Sequence, residues 1–374
     1  MTGRPRIALV AASLDILGGQ GVQARALVDA LRADGYPVTF VPINPRFPRG
    51  LRWLRTVPYA RTLLNQLLYL PSLLRLARAD VVHVFSASFW SFLLAPAPAM
   101  LAAALFRARV VLHYHSGEAA EHLSRWGVLV HPWLRLADVI VVPSGYLQGI
   151  FAGHGHAARV ILNVVDLSRF AWRERSPLQP RLISTRNLEP YYRVDVVLDA
   201  FRRLRAAVPA ATLTVAGYGS EEARLRAMAG EGVRFVGKVD PAAMPELLDQ
   251  ADIFLNASVV DNQPVSLLEA FASGLPVVST PTGDIAAMVR HEETGLLVAP
   301  GDAGAIAAAV VSLLRDPAHA TSLARQAREE IDRYIWAAVR GDWASVYDDG
   351  AAPAASPAEA SGRDIESWNS ARSR

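Results

Sequence analysis

Hydrophobic positions along the chain follow two alternating patterns. Short continuous runs rich in Val, Ile and Leu occur at Ile7 to Ala12, Val38 to Pro42, Val81 to Phe85, Val110 to His115, Val139 to Pro143 and Val160 to Leu162. Between them, apolar residues recur at helical spacing, as in Val22, Leu27, Val28 and Leu31. Short β-branched runs alternating with amphipathic stretches predict βαβ units and a parallel sheet. The rhythm breaks across Ala171 to Pro180, a charged, Pro-containing stretch. It restarts with Arg181 to Thr185, Thr212 to Ala216, Val233 to Val236, Ile253 to Asn256, Pro276 to Thr280 and Gly295 to Val298. The expected fold is therefore α/β with two Rossmann-like domains. Residues 1–172 form the first domain, 173–180 a linker and 181–335 the second domain. A helix over 336–350 is expected to pack back toward the first domain, and 351–374, made of Ala, Ser, Pro and charge without periodicity, reads as a disordered tail. Ligands of such sheets sit beyond the carboxyl ends of the strands, so two facing domains predict a deep cleft.

Two apolar stretches call for a different reading. Arg4 and Arg6 precede too short a run for a signal-peptide core, so the beginning of the sequence reads as a first strand. Ser88 to Phe106 carries no formal charge and is long enough to cross a bilayer, but Pro96 and Pro98 sit in its middle, which favours a buried helix or a broken helix pair. Composition then narrows the chemistry. The chain has 374 residues, enough for two cores, and no Cys, which excludes disulfides, thiolate catalysis and Cys-ligated zinc. A net charge of +3 tolerates anions without making a polycation, so no nucleic-acid partner is expected. The absence of Cys fits a cytoplasmic location, peripheral on the inner face of a membrane in one reading.

The segment DNQPVSLLEAFASGLPVVST, beginning at Asp261, concentrates the chemistry. Pro264 suits the first position of a helix, Gly274 suits the residue past its end, and Pro276 opens a buried strand. The amides of Val265, Ser266 and Leu267 then form a positively polarised helix start, a seat for a diphosphate, and Ser266 adds a hydroxyl. Glu269 lies about 7.5 Å further along the axis and leans back toward the amino end, within reach of a ribose diol. Asp261, in the loop before the helix with Asn262 and Gln263, is placed to accept hydrogen bonds from a donor sugar.

This segment resembles the acidic-x7-Glu signature of retaining glycosyltransferases of the GT-B fold, family 4 (glycosyl transferases group 1), with Asp261 where the first Glu is usual. The resemblance implies transfer from a nucleoside diphosphate sugar, with retention and without metal or cofactor. It also gives roles to other positions. Gly18 and Gly19, with Gly21, resemble the family's Gly-Gly loop, Gly18 on the acceptor side and Gly19 toward the donor. Gly217 and Gly219 in AGYGSE lie near the nucleotide, and Lys238, the only Lys, near the base. His115 faces the donor sugar, while Ser116, Gly117 and Glu118 stand on the acceptor side. Asn163 and Asp166 resemble the ending of the family's amino-terminal domain and read as hinge structure. Arg186 is the expected diphosphate clamp, Arg193 a second. Tyr192 stands where a Lys is usual, which departs from the pattern. The candidate catalytic set is thus His115, Asp261, Glu269 and Arg186.

Acceptor identity rests on one feature. Between Asp34 and Asp80 there is no acidic residue, while seven Arg are interleaved with Trp53, Tyr59, Leu63, Leu67 and other apolar residues. A glycan or lipid-linked acceptor is expected, with contact to an anionic membrane through residues 46–78. The competing readings are a catalytically silent nucleotide-sugar-binding protein and a nucleotide-sugar epimerase on the same fold.

Overall fold

The computed structural model describes residues 4–13 and 19–348. Gly18 and the tail over 351–374 lie outside the described residues. Among the described residues, twelve strands fall on the twelve apolar runs and form two six-stranded parallel sheets. The first contains β1 (Ile7–Ala11), β2 (Val38–Pro42), β3 (Val81–Ser86), β4 (Arg109–Tyr114), β5 (Val139–Val142) and β6 (Arg159–Val160), in spatial order β2-β1-β3-β4-β5-β6. The second contains β7 (Arg181–Ser184), β8 (Thr212–Ala216), β9 (Val233–Gly237), β10 (Ile253–Leu255), β11 (Val277–Ser279) and β12 (Leu296–Leu297), in order β12-β11-β10-β7-β8-β9. Central strands such as β1, β3 and β10 are buried along their whole length, whereas the edge strands β2 and β9 are only partly covered. That is why the central runs read as unbroken apolar stretches.

The helices form where apolar stripes meet the sheets. In Val194–Ala207 the buried side chains Val194, Val197, Leu198, Phe201 and Leu204 follow the helical period and join the core of the second domain. The Ser88 to Phe106 stretch is a broken pair, Phe89–Leu94 and Pro96–Leu105, interrupted at Ala95 before Pro96. Among the described residues no helix is long and apolar enough to cross a membrane.

The last described helix, Trp336–Asp348, belongs spatially to the first domain. Val339, Trp343, Val346 and Tyr347 are buried against the helix Gly19–Ala33 and the first sheet. Each such burial stabilises by about 1.5–3 kcal/mol, so the docking outweighs the polar contacts at its margins. Those contacts are Tyr36 to Asp348 at 2.9 Å, Trp336 Nε1 to Asp34 at 3.0 Å and Arg159 to Asp342 at 2.9 Å.

Candidate active site

Strand order reverses once in each sheet, between β1 and β3 in the first and between β7 and β10 in the second. Loops leaving the strands diverge at such points and open a crevice. The two crevices face each other across a cleft of about 590 Å³. One wall carries the start of helix Gly19–Ala33, Ser88, and His115, Ser116, Gly117 and Glu118 after β4. The other carries Arg186 after β7, Gly217 and Tyr218 after β8, Lys238 after β9, and Val260 to Ser266 with Glu269 after β10.

The helix of the motif runs Val265–Ala272, with Pro264 extended at φ −71° and ψ 121° as its cap, one position earlier than expected. Proline's fixed φ serves either place. Gly274, at φ +74°, closes the other end: Leu275 N–H donates to the Ala270 carbonyl at 3.0 Å and Gly274 N–H to that of Phe271 at 3.1 Å. Of the three amides expected at the helix start, Leu267 is used internally, donating to the Pro264 carbonyl at 3.1 Å, and its side chain is fully buried away from the cleft. Val265 and Ser266 line the cleft.

Arg186 lies against this helix start. Its Nη1 donates to Ser266 Oγ at 2.9 Å and its Nη2 to Asp261 Oδ2 at 2.5 Å, while Nε is buried with no partner. The guanidinium carbon sits 4.1 Å from the centre of the Tyr192 ring, so Tyr192, in place of the family's Lys, supplies a face for the cation rather than a second charge. Asp261 also accepts from Ser258 Oγ at 3.0 Å and the Asn262 amide at 3.0 Å. Glu269 is only 8% exposed, and burial pushes its carboxyl up to about 7 against the pull of Arg169.

The family model described as Glycosyltransferase Family 4 matches residues 17–169, and that described as Glycosyl transferases group 1 matches residues 179–316. The chain is 33% identical over 290 residues to a glycogen synthase of Mycobacterium tuberculosis, covering 72% of this chain and 69% of the relative. It is 28% identical over 280 residues to a phosphatidyl-myo-inositol mannosyltransferase of Mycobacterium leprae, covering 72% and 73%. The chain belongs to glycosyltransferase family 4. Its fold matches that of Anabaena Alr3699/HepE in complex with UDP and glucose (TM-score 0.71, 18% identity, 92% of this chain and 100% of the other). A sucrose-phosphate synthase from Thermosynechococcus elongatus matches as well (0.70, 21%, 92% and 98%). The protein is a GT-B glycosyltransferase, and the comparisons favour neither the silent protein nor the epimerase.

In this family 4 transferase several motif residues hold the domains together. Asn262 Oδ1 accepts from Ser144 Oγ, and Gln263 receives the Asn163 amide at 2.6 Å on Oε1 and Asn163 Nδ2 at 2.9 Å on its carbonyl. Asn262 and Gln263 border the cleft, as the sequence reading expects, and these contacts also join them to the first domain. Val164 next to Asn163 is tied to Gln23 by two hydrogen bonds of 2.7 and 2.9 Å. Asp166 caps the turn Leu167–Arg169. The loops approach so closely that a Cβ on Gly117 would lie 2.9 Å from the Asp261 carbonyl oxygen, and one on Gly217 2.1 Å from that of Arg186. Arg193 is not brought to the cleft. It takes a left-handed φ of +48° before helix Val194–Ala207, and its Nε pairs with Asp195 at 3.0 Å.

Lys238 Nζ lies 5.6 Å from the centre of the Tyr218 ring at the cleft wall, and Gly219, unlike Gly217, is not part of the lining. Gly19 lines the cleft as the first residue of its helix. Ser116 Oγ accepts the Glu118 amide at 3.2 Å, and burial, followed by the charge of Glu121, raises the Glu118 carboxyl. His115 stacks on Phe85 at 5.0 Å, with Nε2 buried and unpartnered, and burial pushes its imidazole down to about 3. It therefore presents a neutral ring. Behind it, His113 lies 4.0 Å from His115 between centroids, His83 contacts His113 at 3.1 Å, and His83 Nδ1 reaches Tyr347 Oη at 2.7 Å. The sequence reading missed this line of imidazoles, although His113 and His115 show it by two-residue spacing on one strand face. It also missed Tyr191 and Tyr218, cleft aromatics beside residues it did name.

Proposed function

We propose that this transferase moves a glycosyl group from a nucleoside diphosphate sugar to a hydroxyl of a glycan or lipid-linked acceptor, with retention of anomeric configuration. The observation that carries the reading is the Arg186 guanidinium, with its buried unpartnered Nε, set between Ser266 at a helix start and the Tyr192 ring. A diphosphate taking that Nε and the Val265 and Ser266 amides has its charge neutralised by fixed dipoles and one cation, so the proposal includes no metal ion. As the anomeric carbon–phosphate oxygen bond breaks, negative charge grows on the diphosphate beside Arg186. The acceptor oxygen bonds to the anomeric carbon from the same face, and its proton passes to the departing phosphate. Glu269 holds the ribose diol, and Asp261, already oriented by Arg186 and Ser258, meets the sugar hydroxyls. His115 is a neutral hydrogen-bonding wall toward the donor sugar, with Glu118 opposite the incoming acceptor.

Among the relatives, one is named for glycogen and another for a phosphoinositide lipid. The Arg-rich, apolar surface over residues 46–78 supports the lipid-linked choice and a cytoplasmic protein working at the inner face of a membrane. The test supplies a panel of nucleoside diphosphate sugars with a membrane lipid extract and follows nucleotide release and glycosylated product, with the anomeric configuration read by NMR. Acceptor-dependent release with a retained anomer is expected. Release without acceptor dependence, donor binding without turnover, or an inverted product each sinks the reading.

A further inference from the structure

Sixteen of the twenty-one exposed large hydrophobic side chains among the described residues lie between Leu51 and Leu136. They are not spread around the first domain. The helices Pro58–Ser72, Pro96–Leu105 and Gly127–Leu134 all cover one face of the first sheet, sharing the core that contains Tyr69, Met100 and Val130. Their outer surface presents Tyr59, Leu63 and Leu67 on the first, Leu101 and Leu105 on the second and Val128, 92% exposed, on the third. The opposite face of the same sheet is covered by Gly19–Ala33 and Trp336–Asp348, whose exposed positions include Arg25, Asp29, Arg32, Arg340 and Asp342. One sheet thus has a charged back and an apolar front.

The front is also cationic. Arg49, Arg61, Arg75, Arg78, Arg107 and Arg135 are exposed among its apolar side chains; no acidic residue occurs from Gly35 to Ala79, and of the two between 89 and 136, Glu118 lines the cleft and Glu121 pairs with Arg125. Isolated apolar side chains interleaved with long cationic ones fit a headgroup layer, where apolar tips enter the acyl boundary and guanidinium groups remain among phosphates. The front meets the cleft at one place. Ser88 and Ser91 line the cleft, while Trp90 between them is 64% exposed and stands edge-on to Trp126 at 5.1 Å. Phe89, packed on Trp126 at 5.6 Å, holds a φ of +56°, a conformation costly for a bulky residue. This aromatic corner is built rather than incidental.

We propose that the whole apolar front, residues 89–136 as well as 46–78, seats on an anionic bilayer, and that acceptor enters the cleft from the membrane past the Trp90 corner. The inference rests on the lipid-linked reading above and extends it to a second segment and an entry route. The test uses the full chain with phosphatidylcholine vesicles with and without phosphatidylglycerol, measured by co-sedimentation and by quenching of Trp emission with brominated acyl chains. Binding only to the anionic vesicles, with quenching reduced in Trp90→Phe, is expected. The double variant Leu101→Glu/Leu105→Glu, far in sequence from 46–78, is expected to lose partition by roughly tenfold while binding nucleotide as the parent does. Equal vesicle binding by parent and double variant overturns the proposal, as does a parent that ignores anionic vesicles or a parental dimer that the double variant dissociates. Calorimetry with nucleotide on the same samples separates the two readings: nucleotide binding without vesicle binding sinks this inference alone, and vesicle binding without nucleotide binding sinks the donor reading alone.

Discussion

The two domains share an architecture and differ in what they bury. Every buried Asp, Glu or Arg among the described residues lies from Arg175 onward, including Arg186, Asp252, Glu269 and Asp284. The buried titratable groups of the first domain are imidazoles and phenols such as Tyr69 and Tyr114, and burial holds His83 and His115 at about 3 and therefore neutral. Burying charge is costly unless a partner compensates it. The second domain offsets that cost with specific partners: Arg175 on the carbonyls of Ala251 and Ser273, Asp252 on Arg181, and Arg186 on Ser266 and Asp261 at the start of the motif helix. Among the described residues, the first domain lines the cleft with the neutral His115 ring and a single carboxyl, Glu118, raised by burial.

Substitution at Arg186 tests this division most severely. Arg186→Ala removes the clamp and leaves Asp261 without its cation, and kcat/KM for the donor is expected to fall by about 10²–10³. A loss below about tenfold, measured with saturating acceptor, would break the comparison.

Glu269 comes next. Its carboxyl rises from 4.5 to about 7 on folding, so the folded chain holds that proton more tightly. The stability this contributes is complete below about 4.5 and is lost as pH rises through about 7. Glu269→Gln should therefore stabilise the protein at pH 8 by about 2 kcal/mol in denaturant titrations, while weakening nucleotide binding by roughly tenfold or more. In the parent, donor affinity should rise between pH 6 and 8 as the carboxylate forms. A flat affinity profile would remove Glu269 from the donor.

His115→Ala sharpens the other side. A fall in kcat of about tenfold is expected. Because the ring is already neutral, the parent's rate profile should carry no limb from His115 between pH 5 and 8. The smallest effect belongs to the interdomain contact: Ser144→Ala removes the hydroxyl held by Asn262, worth about 1 kcal/mol, and should raise KM for donor and acceptor together by a few fold.

Much of the fold could be read directly because its signals are local. Apolar runs mark all twelve strands, and Pro96 marks the helix break at Ala95. The motif helix was misplaced by one residue because proline's geometry satisfies both a cap and a first turn. What remained hidden is long-range. Arg193 carries the right charge, but its backbone conformation and Asp195 turn it aside. The interdomain contacts of Asn262 and Gln263 are invisible in the motif, because their partners Ser144 and Asn163 lie more than a hundred positions away for the first and a hundred for the second. The support of Arg186 by the Tyr192 face likewise depends on how the turn Pro190–Tyr192 packs, which no spacing rule encodes.

The return of Trp336–Asp348 to the first domain means that the backbone passes between the lobes twice. The two crossings are tied side by side, Val165 N–H donating to the Tyr334 carbonyl at 2.8 Å. A pair of adjacent tethers behaves like the spine of a book: it allows the covers to swing apart about one line but resists shear and twist. Any opening that admits substrate should keep the helix Val265–Ala272 and the strand leading to His115 in the same angular alignment, so each closure brings them back together.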